Sequence, residues 1–225
     1  MPPLLSLALA CGTLVGTHLA LSHPLRMPLI RALGERGFLL LYSAVALIAV
    51  VWIARAFRAA PPGDLGAASG TPGWIAATVL TLLALVLFLG SLSGNPALPQ
   101  ASSAGLAERE PQGVFRVTRH PMMWSFALWA LAHLALLWSW RTTIVAVAVL
   151  LLALVGAAGQ DCKKRALTGG NWAAWEAKTS FAPQLGGFRH VGPGAWLLAG
   201  AAWLVITAAH MPLGGVPAGL WRWLG

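Results

Sequence analysis

Charged residues are scarce in this chain of 225 residues, and the scarcity excludes an ordinary soluble domain. Asp, Glu, Lys and Arg make up 9% of the sequence, whereas hydrophobic residues make up 58%. Soluble globular domains usually carry about 25% charged residues. We therefore expect the chain to reside in a lipid bilayer and to fold as a single transmembrane domain over residues 1–225.

Cysteines, acidic residues and nucleotide-binding motifs are also rare or missing. The two cysteines, Cys11 and Cys162, form neither a CxxC pair nor a CxxCH motif, so no disulfide framework and no covalent haem attachment are indicated. The absence of GxGxxG, P-loop, HExxH and GxSxG motifs leaves nucleotide hydrolysis, zinc proteolysis and serine hydrolase chemistry without support. Six acidic residues against 15 Lys and Arg give a net charge of +9. These bases lie in short loops between apolar segments, which indicates a role in membrane orientation, and no nucleic-acid partner is expected.

Long apolar segments fill most of the chain and predict membrane helices. Such a helix needs roughly 20 mostly apolar residues. Six segments qualify, at about 3–22, 37–57, 73–93, 121–140, 142–160 and 194–211. The predicted fold is an all-α polytopic transmembrane helix bundle of about six spans, with a tight hairpin between the fourth and fifth. Residues 161–190 contain several aromatic side chains and are expected to form a short amphipathic helix on the membrane surface.

The distribution of Lys and Arg predicts the orientation of these spans. Eleven of the 15 lie in the loops after the first, third and fifth spans, and four lie on the opposite side. Loops rich in Lys and Arg usually stay in the cytoplasm. The N-terminus and the C-terminus are therefore both predicted on the outer, periplasmic side.

Histidines within the apolar segments are the first residues to consider for chemistry. His18 lies in the first span and His133 in the fourth. Ionisable groups inside a membrane are costly and often functional. Two interpretations stay open: an interhelical hydrogen bond, or axial ligation of one haem iron by both imidazoles in an apolar cavity. His210 ends the sixth span and is interpreted as an interfacial residue.

A basic group at the entry of the fourth span is the second candidate site. It consists of Arg116, Arg119 and His120 and is followed by Pro121, which suits the first turn of a helix. One interpretation is an interfacial anchor that also sets topology. The other is a clamp for an anion or carboxylate, such as the propionates of haem.

Asp161 ends the fifth predicted span and is followed closely by Lys163, Lys164 and Arg165. A surface pair with one of these bases would contribute little to stability. Organisation of segment 116–121 by this carboxylate is the alternative, and the sequence leaves both open.

The middle of the chain carries a motif that is similar to a family signature. Residues 116–133, RVTRHPMMWSFALWALAH, resemble the RITRHPxxxxxxxWxLAH signature of NnrU proteins and of zeta-carotene isomerase. Residues 34–43, GERGFLLLYS, resemble the second-helix entry of that family. Lys178, Thr179 and Ser180 followed by Pro183 resemble its RTSxxP segment.

The resemblance implies a membrane haem b protein of the bacterial inner membrane. By position, the implied iron ligands are His18 and His133, with Arg116 and Arg119 near the propionates and His120 also at the cofactor. For the isomerase, the family implies redox-dependent ligation at an iron that isomerises a cis double bond in a lipophilic polyene. The NnrU branch is associated with nitrate and nitric oxide metabolism.

One departure from the isomerase pattern concerns iron ligation. The isomerase has a cysteine three residues before its second ligand histidine, and this chain has Ala130 there. A cysteine-for-histidine ligand switch, and with it literal carotene isomerase activity, is therefore not expected. The substrate and the enzymatic status stay open.

Two alternatives to a haem protein remain. The isoprenylcysteine methyltransferase group also has an RHP loop, beside S-adenosylmethionine, and an aromatic segment ending in proline that Trp172, Trp175 and Pro183 imitate. That group usually has a tyrosine after RHP, where this chain has Met122. The other alternative is a non-enzymatic assembly or regulatory membrane protein.

Overall fold

The computed structural model describes residues 1–98, 101 and 104–224, and these residues form helices and loops without a β-strand. Nine α-helices occur within the described part of the chain. They are α1 Pro3–Ser22, α2 Arg26–Ala59, α3 Gly70–Gly90, α4 Pro121–Leu136, α5 Trp140–Thr168, α6 Gly170–Lys178, α7 Pro193–Ala208, α8 His210–Gly214 and α9 Trp221–Leu224. The predicted all-α fold is confirmed.

Five helices of the described chain are long and apolar enough to cross a membrane: α1, α2, α3, α5 and the continuous pair α7 and α8. Many of their apolar side chains point away from the protein. Leu40, Ile48 and Leu197 are 74%, 68% and 75% exposed, respectively. Such surfaces suit hydrocarbon, because a helix satisfies its own backbone hydrogen bonds there. The chain is a multi-pass helical membrane protein.

Helix α4 corresponds to the fourth predicted span, 121–140, and it is shorter than expected. Its 16 residues rise about 24 Å at ~1.5 Å per residue, less than the roughly 30 Å hydrocarbon core of a bilayer. The helix ends because Leu137 adopts a left-handed conformation with φ 47°. The Ser139 side chain then caps α5 by accepting a hydrogen bond from the Thr142 amide at 3.1 Å. The hairpin is therefore present, but its turn lies at residues 137–139 and not around Arg141.

Beyond residue 160 the structure differs from the expected surface segment. Helix α5 continues through Asp161 to Thr168, and Gly169, with φ 54°, separates it from α6. Trp172 and Trp175 of α6 are fully buried in a core cluster with Phe115 and Val117. A short helix was predicted here correctly, but its aromatic face packs into the protein and not onto the membrane.

The helices pack in two groups that share α5. Helix α1 packs against α2 and α5, whereas α3 packs against α4 and α7, and α4 also packs against α5. Helix α2, with 34 residues, is interrupted at Gly34, whose φ of 71° favours glycine. Helices α3, α4, α5 and α7 supply most of the lining of a cavity, to which α2 contributes Phe57.

Candidate functional site

A cavity of about 580 Å³ lies among α3, α4, α5 and α7. This volume is within the range of roughly 300–1,000 Å³ usual for small-molecule sites. We call it the aromatic cavity. Its lining includes the rings of Trp74, Phe88, Phe126, Trp129, Trp138 and Trp203. Such a lining favours a large, flat, apolar ligand.

His133 lines the aromatic cavity from α4. Its Nδ1 lies 2.8 Å from the carbonyl oxygen of Trp129, one helical turn earlier. Because a carbonyl only accepts, Nδ1 carries the proton and Nε2 carries a free lone pair. The Trp129 ring packs against the imidazole with 4.1 Å between centroids, which restricts its rotation. Among the residues that the structure describes, no hydrogen-bond partner is found for Nε2.

His210 lines the same cavity from the junction of α7 and α8. Its Nδ1 lies 2.9 Å from the carbonyl oxygen of Ile206, again one turn earlier. The same argument gives the same tautomer, with the lone pair on Nε2. The sequence interpretation of His210 as merely interfacial overlooked this position.

Arg141 contributes a positive charge to the cavity wall. Its Nη1 donates to the carbonyl oxygens of Phe57 at 3.2 Å and Ala60 at 3.1 Å, at the C-terminal end of α2. The guanidinium also lies 4.5 Å from the centroid of the Phe57 ring. Its Nε is buried and has no hydrogen-bond partner among the described residues. The positive charge of the guanidinium at the cavity wall favours an anionic group there.

His18 lies elsewhere, between α1 and α2. The hydroxyl of Tyr42 is 2.6 Å from its Nε2 and 2.9 Å from its Nδ1, and the hydroxyl also lies 3.3 Å from Ser22 Oγ. A narrow crevice surrounds the ring, and His18 is not part of the aromatic cavity lining. This contact is the interhelical hydrogen bond expected as the alternative to iron ligation. His18 and His133 therefore lie in different pockets. Ligation of one haem by both histidines stays a prediction.

Arg119 and His120 contact a carboxylate of the protein itself. Arg119 donates from Nε to Asp161 Oδ2 at 3.0 Å and from Nη2 to the same oxygen at 2.6 Å. His120 Nε2 lies 2.7 Å from Asp161 Oδ1, which also accepts the Trp172 indole N–H at 3.2 Å. We call these four residues the Asp161 cluster. The side chains of Arg119, His120 and Asp161 are only 11%, 0% and 5% exposed.

The Asp161 cluster fastens segment 116–121 to α5 and α6. The backbone supports the same arrangement: Arg119 N donates to Ser180 O, and Gln184 N donates to Val117 O, each at 2.8 Å. Thr118 Oγ1 donates to Phe181 O at 2.6 Å. Two roles were left open for Asp161, and the structure shows the second: its carboxylate organises this loop. His120 Nδ1 is buried without a hydrogen-bond partner in the described structure.

Arg116, in contrast, is exposed on the surface of the same loop. Its Nε donates to Pro111 O at 3.2 Å, and its Nη1 lies 3.3 Å from His190. Desolvation by neighbouring side chains, followed by the charges of Arg116 and Arg189, lowers the pKa of His190. These contacts describe a polar surface at the end of the bundle.

The predicted cofactor-binding residues thus occupy opposite ends of α4. His120 precedes the helix, and His133 lies 13 residues further along, roughly 20 Å at ~1.5 Å per residue. None of Arg116, Arg119 and His120 lines the aromatic cavity. Their contact with a cofactor stays a prediction, whereas His133 lies in a pocket of suitable size.

The fold and the cavity define a class: a multi-pass helical membrane protein with an aromatic pocket that contains histidine and arginine. The chain belongs to the NnrU family, because the family model described as NnrU protein matches residues 6–218. The family resemblance of the central motif is therefore confirmed over nearly the whole chain. No curated protein and no solved structure matches this sequence.

Proposed function

We propose that this NnrU-family chain is a membrane haem b protein that holds haem in the aromatic cavity, with the His133 imidazole on the iron. The observation that carries the proposal is the free Nε2 of His133 in an aromatic cavity of about 580 Å³. Neutral imidazole is a common axial ligand of haem iron. Hydrogen bonding from the other ring nitrogen to a backbone carbonyl orients such ligands and raises their basicity.

The donor set fits haem because the porphyrin supplies its own equatorial nitrogens. A single imidazole would therefore be enough to hold the iron, and His133 would supply it. Within the described residues no group of three or more His, Cys, Asp and Glu is arranged to hold a metal ion. The fit extends to His133 and not to His18, which lies in another pocket.

Residues of this chain have distinct roles in the proposed site. The Trp129 carbonyl and ring hold the His133 imidazole in one orientation. The aromatic rings exclude water and pack against the macrocycle. Arg141 neutralises a carboxylate of the bound group. Haem held here would supply an iron centre for redox sensing or for the isomerisation of a lipophilic polyene. The association of the NnrU family with nitrate and nitric oxide metabolism suggests the process in which this centre takes part.

We also propose that both termini lie on the periplasmic side of a bacterial inner membrane. The support is the excess of Lys and Arg in the loops after the first, third and fifth predicted spans, 11 against four. His133, Arg141 and His210 then lie towards the periplasmic side, and the Asp161 cluster lies at the cytoplasmic side.

Purification of the full chain from cells with an adequate haem supply tests the haem assignment. For the wild-type protein we expect a Soret band in detergent and a haem b pyridine haemochrome. His133→Ala is expected to lose haem, and added imidazole is expected to restore haem binding. His190→Ala is the matched control, because this histidine is exposed and outside the cavity, and it is expected to retain haem. Circular dichroism and size-exclusion chromatography report whether each variant is folded. A wild-type protein without a Soret band, or a folded His133→Ala variant with an unchanged band, would overturn the proposal.

A further inference from the structure

The aromatic cavity contains a second imidazole that the family resemblance does not assign. One axial ligand from His133 leaves the other face of the iron to be filled. A second protein ligand has to line the same cavity. His210 does so, whereas His18 is engaged with Tyr42 in a separate crevice.

His210 is prepared for ligation in the same way as His133. Each Nδ1 is held by the carbonyl oxygen four residues earlier, at 2.9 Å for His210 and 2.8 Å for His133. Each Nε2 therefore keeps its lone pair, and neither has a hydrogen-bond partner in the part of the chain that the structure describes. An orienting hydrogen bond of this kind accompanies most ligand histidines.

The helices present these two imidazoles from different walls of the cavity. His133 belongs to α4 and His210 follows α7, and both helices pack against α3. A ligand that fills the cavity is therefore lined by both imidazoles.

We infer that His210 is the second axial ligand of the haem in the aromatic cavity, opposite His133. This inference rests on the proposed haem function and adds the identity of the second ligand to it. It differs from the family-based assignment, in which His18 has that role.

Spectroscopy of the ferric and ferrous protein separates the two assignments. With two imidazoles the iron is low-spin, and we expect a low-spin ferric EPR signal and little binding of carbon monoxide by the ferrous form. In His210→Ala, haem content is expected to persist while the low-spin signal is lost, carbon monoxide binds readily, and added imidazole restores the low-spin signal. His18→Ala is expected to remain low-spin. His210→Met, which offers a thioether in place of imidazole, is expected to bind haem with a shifted spectrum.

Each outcome bears on one of the two claims. Absence of haem from the wild-type protein would overturn the proposed function itself. Haem that is present but high-spin in the wild type, or that stays low-spin in His210→Ala, would overturn the role of His210 and leave the haem function standing. If His210→Ala is not folded, His210→Met provides the test. A folded His210→Met variant with the same spectrum as the wild-type protein would also overturn the role of His210.

Discussion

Replacing Asp161 with asparagine is expected to destabilise the protein strongly. The carboxylate accepts hydrogen bonds from Arg119, His120 and Trp172, and its side chain is only 5% exposed. Asparagine preserves the volume but removes the negative charge. The amide nitrogen of asparagine replaces one carboxylate oxygen, and its N–H groups then face the N–H donors of Arg119 or His120.

The expected cost follows from the burial of the pair. Removing one partner of a buried ion pair leaves the other charge uncompensated and typically costs about 3–5 kcal/mol. Arg119 is 11% exposed, so water cannot readily replace the lost carboxylate. Glu176 Oε1 remains 3.4 Å from Arg119 Nη2 and compensates part of the charge, so we expect a cost near the lower end of this range. The control is Glu110→Gln, because Glu110 pairs with Lys178 at 2.7 Å on the surface and is 67% exposed. Breaking that pair is expected to cost at most about 1 kcal/mol.

Equilibrium unfolding in mixed micelles of a mild detergent and dodecyl sulfate, followed by circular dichroism, measures both costs. The double variant Arg119→Met with Asp161→Leu is expected to be more stable than Asp161→Asn alone, because replacing both partners by apolar groups leaves no unpaired charge. A cost for Asp161→Asn no larger than that for Glu110→Gln would refute the reasoning.

Three further predictions concern the surface, the topology and the cavity. His190 is expected to titrate below the ordinary histidine pKa of about 6.5, and Arg116→Gln is expected to raise that pKa, as ¹⁵N NMR of labelled histidine would measure. The exposed thiol of Cys162 is expected to react with a membrane-impermeant maleimide only after cells are permeabilised, in a Cys11→Ala background. Arg141→Met is expected to weaken haem binding roughly 10- to 150-fold, since a charge-assisted hydrogen bond contributes roughly 1.5–3 kcal/mol, but to leave binding of haem dimethyl ester unchanged.

Each of these predictions has a result that opposes it. An unchanged His190 pKa in Arg116→Gln would mean that the guanidinium has no influence on the imidazole. Labelling of Cys162 in intact cells would reverse the proposed orientation. Equal weakening of haem and its dimethyl ester by Arg141→Met would assign Arg141 a packing role and not a carboxylate contact.

Apolar length predicted the membrane helices well, because each long run must satisfy its backbone hydrogen bonds internally in lipid. Where apolar length predicted the wrong helix ends, tertiary contacts and local backbone conformation determine them. Helix α5 continues to Thr168 because Asp161, its first acidic residue, is paired with Arg119 and His120 from another segment. Helix α4 stops at Leu136, since the following residue takes a left-handed conformation that apolar composition does not reveal.

The candidate site was only half visible in the sequence. His133 was recognisable as a histidine inside an apolar run, and the Arg119–His120 pair as a cluster of bases. The partner of that pair is 41 and 42 residues away, which spacing does not predict. Arg141 and His210 sit at ends of apolar segments and resembled topology signals. Matching their depth with that of His133 would have predicted a shared pocket.

The location of iron in the haem-loaded protein tests the central claim most directly. Crystals of the full chain with haem, measured at the iron absorption edge, would give an anomalous peak at the metal. We predict that this peak lies in the aromatic cavity, within bonding distance of His133 Nε2. A peak beside His18, or beside Arg116 and His120 at the other end of α4, would contradict the account.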